Sequence, residues 1–332
     1  MSNQLKVLAV FLLLFISFFS IQSEEKFIPE FGDSIKFSKD SPQISLNQLK
    51  GKAVLLVFFQ SWCPSCNKWS GKMFKKIETA HGDNPNVVLF AIKTDGGGTS
   101  GAEAYLKERK VNFKKWFIGT DKLGAYSQLF NTKKSLYGGV EVSPDGSYRK
   151  ISDTSMAGRN FENIYGDQLK RILPEKKYIP ELSGVVRNAE MSLFKLSLLE
   201  CNKLSKNKKI RDEAKALKKD ILEAASNKVK GLLIELNDDT QENRFISFMS
   251  LRSIAIELKG TASSKEAIKG LKIAKSAPFF KKELKAEKVY LSILSKASRM
   301  KRRKREEVLR ATFPKFAEKY PDTYYGKLAS RK

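Results

Sequence analysis

The chain has 332 residues, enough for about two domains, and its 41% hydrophobic content with 22 Phe excludes a disordered protein. One His and three Cys argue against a zinc cage drawn from this chain alone, and a single long apolar run excludes a multi-pass membrane protein. The formal net charge is +26, with 20 basic and 13 acidic residues in 24–150 and 41 and 23 in 151–332. Because the lysines are spread along helical patterns, we expect a solvated basic surface and no nucleic-acid binding.

The N-terminus has the pattern of a secretory signal. Lys6 is followed by an apolar run of about 13 residues, 7–19, and then by the short segment 20–23 before charged residues begin. The run is short for a membrane span, which needs about 20 residues. We predict a signal peptide over residues 1–23, with an uncleaved anchor formed by residues 7–21 as the alternative. Both predict an exported protein of the periplasm or cell envelope, where paired cysteines carry redox chemistry.

Residues 24–173 alternate strand-like and helix-like patterns. The continuous apolar runs at 53–59 and 87–92 predict strands buried on both faces. Pro144 and Gly146 predict a turn inside a hairpin. The full set of predicted elements is strand 53–59, helix 64–80, strand 87–92, helix 100–110, strand 116–118, helix 122–130, and hairpin strands 140–142 and 148–151. This order predicts an α/β domain with a mixed sheet.

Residues 174–184 contain two prolines and predict a linker, after which no strand pattern follows. Apolar residues at spacings of three and four predict a basic all-helical domain over residues 185–332. The predicted helices are 185–205, 208–235, 240–259, 263–275, 279–298, 303–319 and 322–330, with breaks at Gly260, Pro278, Pro314 and Pro321.

The strongest chemical signal is Trp62-Cys63-Pro64-Ser65-Cys66, directly after the first buried strand and at the start of a helix. A helix N-terminus offers unpaired N–H groups and a positive potential that favour a thiolate, and Pro64 fits the first helical turn. Cys66 lies one turn on, close enough to resolve a mixed disulfide formed on Cys63.

These cysteines have two structural alternatives: a stabilising disulfide and half of a metal site. A four-residue loop gains little from loop closure, and the sequence has no second Cys pair or His pair to complete a metal site. We therefore expect a redox-active Cys63–Cys66 pair with no other cofactor and no metal.

The segment 51–66, Gly-Lys-Ala-Val-Leu-Leu-Val-Phe-Phe-Gln-Ser-Trp-Cys-Pro-Ser-Cys, resembles the thioredoxin-like superfamily, and most of all its exported TlpA-like branch. Residues 87–95 and 142–146 fall where that family has its second strand and its hairpin. The resemblance covers about residues 30–172. It implies a thioredoxin fold, with Cys63 as the attacking thiol and Cys66 as the resolving thiol.

The sequence departs from that family at three positions. The family's cis-proline, which faces the cysteines, falls near Leu136 and Tyr137, where no proline stands. Val57 occupies the position of a buried Asp of many thioredoxins, and Trp69 that of a Glu of some relatives. The resemblance makes Trp62, Pro64, Ser65, Leu136 and Tyr137 the expected substrate-facing residues. An altered, narrow specificity is therefore expected.

Other residues carry weaker signals. A peroxiredoxin is excluded because its peroxidatic Cys needs a Thr three positions before it and a Pro four before that, where Gln60 and Leu56 stand. Cys201 is predicted to be a buried core thiol, His81 a surface residue and Trp69 a core residue. The cationic run 301–305 predicts a solvated helix start; a patch for lipid head groups or an acidic partner is its alternative.

The sequence supports two hypotheses of different classes. The first is an exported thiol-disulfide oxidoreductase that acts as a reductant, with a client protein carrying a disulfide or thiol pair and a membrane or periplasmic thiol electron donor as partners. The second is a binding or scaffold protein whose helical domain docks a partner, with a vestigial or structural thioredoxin domain. In either case the basic helical domain offers contacts for an acidic protein or anionic lipid.

Overall fold

The computed structural model describes residues 28, 31, 34–39, 41–42, 44–62, 64–95, 98–122, 124, 126, 130, 137–237, 240–300 and 302–330. The predicted signal peptide and most of the predicted helix 122–130 lie outside these ranges. None of the helices within them is long and apolar enough to cross a membrane.

The described part of the N-terminal half is built on a six-stranded mixed sheet. Its strands are β1 (Ile35–Phe37), β2 (Ala53–Phe59), β3 (Val87–Lys93), β4 (Phe117–Asp121), β5 (Tyr137–Val142) and β6 (Tyr148–Ile151). Their order is β1-β4-β3-β2-β5-β6. β2, β3 and β4 are parallel, while β1, β5 and β6 run antiparallel to their neighbours. Every residue of β2 and β3 is buried, as their apolar runs predict.

Helices cover the sheet and continue to Ser330. They are α1 (Pro64–His81), α2 (Gly98–Glu108), α3 (Asp153–Met156), α4 (Phe161–Tyr165), α5 (Ser183–Glu190), α6 (Phe194–Leu204), α7 (Arg211–Glu235), α8 (Gln241–Glu257), α9 (Ala262–Ser276), α10 (Pro278–Ser298), α11 (Arg302–Lys319) and α12 (Tyr324–Ser330). The mixed sheet and the all-α region confirm the expected fold class of a thioredoxin fold followed by helices. The domain limits 24–173, 174–184 and 185–332 stay a prediction; the segment between 174 and 184 contains a 3-10 turn, Pro180–Leu182, and the first residues of α5.

The two faces of the sheet have separate cores. Val57 and Phe59 of β2 point to the face covered by α1 and α2, where Phe74 packs edge-on against Phe59. The alternate residues of β2 point to the other face, which Met191 and Leu193 from the junction of α5 and α6 help to cover. A segment that follows the sheet in sequence therefore completes one of its cores.

This contact explains why the predicted single helix 185–205 is wrong. The chain forms α5 and α6 instead, with a break at Met191–Leu193 where Ser192 has φ 60°. Ser192 is buried and its hydroxyl donates to the backbone carbonyl of Gln48 (3.2 Å). Packing against the sheet thus outweighs helical periodicity at these three residues.

The predicted break at Pro314 is also wrong, because this proline lies inside α11. Proline removes one helical hydrogen bond and usually kinks or ends a helix. Here Phe313 and Phe316 on either side are both buried in the core of the helical region. Their burial, worth a few kcal/mol in total, offsets the lost hydrogen bond.

A buried ionic network joins the sheet to the helical region. The Lys52 ammonium, just before β2, lies 2.6 Å from the Glu190 carboxylate of α5, and both side chains are 1% exposed. Glu190 also accepts hydrogen bonds from the Ile172 backbone N–H (2.8 Å) and from Arg171 Nε (3.1 Å). Burial lowers the pKa of Lys52, and the ion pair with Glu190 opposes that shift.

A second polar contact lies beside the first. Lys228 of α7 donates to the Gln48 carbonyl (2.8 Å) and to the Ser192 hydroxyl (2.5 Å). The Gln48 side chain in turn donates to Glu257 of α8 (2.6 Å). The strand that leads into the cysteine motif is therefore tied at its N-terminal end to three helices of the C-terminal region.

Candidate functional site

The cysteine motif lies where the central strand β2 ends and α1 begins. α1 starts at Pro64, so Cys63 immediately precedes its first turn in the chain, and Cys66 belongs to that turn by its backbone. Cys63 itself lies outside the described residues, as do the side chains of Pro64, Ser65 and Cys66. The predicted setting of the motif, a buried strand followed at once by a helix N-terminus, is present.

The loop between strand and helix is held by Asp95, which follows β3. One carboxylate oxygen of Asp95 accepts the backbone N–H of Ser61 (2.7 Å) and the Ser61 hydroxyl (2.8 Å). The Asn67 side-chain amide donates to the Ser61 carbonyl (3.2 Å). Both backbone polar groups of Ser61, two residues before Cys63, are thus fixed, which positions the start of the motif.

Asp95 is paired with a buried lysine. Lys93 is the last residue of β3, is 4% exposed, and its ammonium lies 2.5 Å from Asp95 Oδ1. Burial alone would raise the pKa of Asp95, but hydrogen bonds from Lys93 and Ser61 outweigh it and lower that pKa. This ion pair lies at the end of the sheet from which the motif emerges.

Lys93 is the ionisable residue of this region that sequence reasoning missed. It aligns with Phe59 across the parallel pair β2–β3, and alternation places it on the α1 side of the sheet. Val57, two pairs further into the sheet, is 0% exposed and surrounded by apolar residues, so the side chains around this position are hydrocarbon. A lysine at the end of an otherwise apolar run was the available signal.

Trp62 and Trp69 flank the dithiol in sequence, and both rings face solvent. Trp62 is 62% exposed and its indole N–H donates to the Gln60 side chain, while its substrate-facing role stays a prediction. The prediction that Trp69 is a core residue is wrong, because its side chain is 59% exposed. The inward stripe of α1 runs through Ser70, Phe74 and Ile77, and Trp69 does not fall on it.

The remaining predicted substrate-facing residues lie on β5 or just before it. Tyr137 begins β5 and pairs with Phe59, four residues before Cys63, so its backbone lies beside the end of β2. Leu136 and the side chain of Tyr137 lie outside the described residues. Their roles stay predictions.

Of the remaining sequence predictions, the one for Cys201 is confirmed and the one for His81 is wrong. Cys201 is buried, as predicted, and burial raises the pKa of its thiol to about 11. The surface position predicted for His81 is wrong: the ring is 4% exposed and its Nε2 donates to the Met156 carbonyl (2.8 Å). In the cationic run, Arg303 is solvated while Arg305 donates to the carbonyls of Lys122 and Met300.

A protein-family model matches part of the chain. Residues 26–137, about a third of the chain, match the model of the AhpC/TSA family. No curated protein matches the chain.

Solved structures similar to part of the chain include the following three. A secreted disulfide oxidoreductase of Mycobacterium tuberculosis is 21% identical over 33% of this chain and 81% of its own, with a TM-score of 0.27. The thioredoxin domain of a thiol-disulfide oxidoreductase from Bacteroides vulgatus is 16% identical over 44% and 97%, with a TM-score of 0.32. StoA from Bacillus subtilis is 17% identical over 37% and 94%, with a TM-score of 0.28.

Proposed function

We propose that this chain, whose N-terminal region is thioredoxin-like, is an exported thiol-disulfide oxidoreductase that reduces disulfides in client proteins through Cys63 and Cys66. The observation that carries the proposal is the place of the motif: the end of the central buried strand runs through Cys63 directly into the N-terminus of α1. A thiolate at that position is favoured by unpaired helix N–H groups and the helix dipole. The signal-peptide pattern of residues 1–23 supports export.

The reaction consists of two exchange steps. The Cys63 thiolate attacks one sulfur of the client disulfide, so that a Cys63–client bond forms, the client S–S bond breaks, and the released client thiolate takes a proton from water. Cys66 gives its proton to water and then attacks Cys63 Sγ, which forms the Cys63–Cys66 disulfide and releases the second client thiolate. That thiolate also takes a proton from water. The client gains two electrons and two protons, and the protein loses them.

A further dithiol must return the protein to its reduced form. We place this role with a thiol electron donor of the membrane or periplasm, which would undergo the same two steps in reverse. The direction towards reduction follows the TlpA-like resemblance. It is independent of the Pro64-Ser65 pair, which does not fix the potential.

Single cysteine variants test the proposal. Cys63→Ser should abolish disulfide exchange with a reporter protein, and Cys66→Ser should accumulate a mixed disulfide that dithiothreitol releases. Cys201→Ser is the matched control and should leave the rate unchanged, because that thiol is buried with a raised pKa. Unchanged exchange in Cys63→Ser would contradict the proposal and favour the scaffold hypothesis.

Hydrogen peroxide provides a second control. Gln60 and Leu56 replace the Thr and Pro that a peroxidatic cysteine needs, so we expect no faster peroxide consumption by the protein than by its Cys63→Ser variant. Rapid consumption by the unmodified protein alone would point to a peroxidase instead.

A further inference from the structure

The solvent face of α1, the helix that carries Cys66, is strongly cationic. Four lysines lie on it and all are exposed, whereas the one acidic residue of the helix, Glu78, is 2% exposed and pairs with one of them, Lys75 (3.0 Å). The lysines are Lys68, Lys72, Lys75 and Lys76. An exposed helix usually mixes charges of both signs, so a face of one sign marks a surface that attracts an oppositely charged group.

The exposed Trp69 ring lies on this face beside two of the lysines, at the end of α1 nearest the dithiol. The Lys68 and Lys72 ammonium groups lie 5.9 and 5.4 Å from the centroid of the Trp69 ring. Trp69 follows Cys66 by three positions, and positions three apart on a helix are neighbours on its surface. Together with Trp62, it provides exposed aromatic surface on both sides of the motif.

Contacts from the end of the neighbouring helix α2 hold α1 in position. Arg109, just after α2, donates to the Ser70 hydroxyl (2.7 Å), and its guanidinium stacks on the Tyr105 ring at 3.4 Å. Glu108 pairs with Arg109 at 3.1 Å, so this flank adds no excess of negative charge. α1 therefore presents Trp69 and its lysines from a rigid backbone rather than from a loop.

We propose that Lys68, Trp69 and Lys72 form a docking surface for an acidic segment of the client protein beside its disulfide. The proposal rests on the proposed function and specifies its substrate class. The two lysines attract the client carboxylates, and the exposed ring packs on the apolar parts of the same segment. An anionic membrane is the less favoured occupant, because a bilayer on this face would cover the adjacent dithiol.

Two matched peptides test the charge preference. Each carries one cysteine as a mixed disulfide with thionitrobenzoate, flanked by Asp and Glu in one peptide and by Lys in the other, and the reduced protein releases the coloured thiol. At low salt we expect the acidic peptide to react about tenfold faster than the basic one, which is the lower end of the rate increase that electrostatic steering gives. The ratio of the two rates should fall as salt is added.

Charge-reversal variants test whether the preference for the acidic peptide depends on Lys68 and Lys72. Lys68→Glu/Lys72→Glu should remove or invert the preference. Lys215→Glu/Lys219→Glu, which reverses two exposed lysines at the same spacing on α7, should keep it. Trp69→Ala should slow both peptides while the charge preference persists. Far-UV circular dichroism confirms that each variant is folded.

The outcomes separate the two proposals. Equal rates for the two peptides, or equal losses in both lysine pairs, would overturn the docking surface while leaving exchange intact. Failure of the unmodified protein to release thionitrobenzoate from either peptide faster than Cys63→Ser would overturn the proposed function itself. Binding to phosphatidylglycerol vesicles that Lys68→Glu/Lys72→Glu abolishes, without any peptide preference, would replace the protein partner with a membrane.

Discussion

Replacing Glu190 by Gln should cost a large part of the protein's stability. The change leaves the Lys52 ammonium, 1% exposed, without a counter-charge at 2.6 Å. It also weakens the acceptor for Arg171 and for the Ile172 backbone N–H. Removing one partner of a buried ion pair costs about 3–5 kcal/mol, against a total stability of about 5–15 kcal/mol for a protein domain.

Lys52→Met should cost less, about 1–3 kcal/mol, because Glu190 keeps Arg171 and two backbone N–H donors. The double variant Lys52→Met/Glu190→Gln should be more stable than Glu190→Gln alone, since no unpaired ammonium remains buried. The comparison isolates the coupling between the two side chains.

Urea unfolding followed by two probes measures how much unfolding free energy is lost and whether both regions of the protein lose it. All three Trp residues precede residue 117, so Trp fluorescence reports on the sheet region, while far-UV circular dichroism reports mainly on the helices. Because the Lys52–Glu190 pair joins both regions, both probes should shift to lower urea together with little change in slope. A loss below about 1 kcal/mol in Glu190→Gln, or additive effects in the double variant, would refute this reasoning.

Three further substitutions test the electrostatics. Lys93→Met leaves the negative charge of Asp95 without its partner and should raise the pKa of the Cys63 thiol, whereas Asp95→Asn leaves the positive charge of Lys93 and should lower that pKa. Iodoacetamide reaction rates against pH measure the thiol pKa in both variants. Shifts of the same sign would contradict the Lys93–Asp95 pairing. Burial, with repulsion from Lys52, lowers the pKa of Lys228 to about 8. Between pH 8 and its ordinary value of 10.5, the unfolded chain binds a proton that the folded chain lacks, so stability relative to Lys228→Met should rise with pH in that window. A constant or falling difference in unfolding free energy would show that the amine keeps its proton.

The elements that sequence predicted well are those whose burial is uniform. β2 and β3 are apolar at nearly every position because both faces of the strand are covered, and Pro64 marks the start of α1 for local reasons of backbone geometry. The hairpin around Pro144 and Gly146 is likewise set by turn chemistry. In each case the information lies within a few residues.

The features that sequence missed depend on contacts between distant segments. His81 is buried by Met156, 75 positions away, and the break between α5 and α6 follows from packing against the sheet. The Lys93–Asp95 pair is local, but its link to Ser61 requires the pairing of β2 with β3. The sequence predicts a core position for Trp69, whereas the direction of the inward stripe of α1 turns its side chain to solvent.

Redox titration of the Cys63–Cys66 pair tests the central claim most directly. The protein is equilibrated in glutathione or dithiothreitol buffers of graded potential, free thiols are alkylated, and the masses of both forms are measured. Redox exchange predicts one two-electron transition with a midpoint between about −270 mV, the thioredoxin value, and about −120 mV, the value of a strong oxidant; the proposed reductant role places it near the lower end. A pair that stays oxidised in the most reducing buffer would contradict the account, since it would be a structural disulfide.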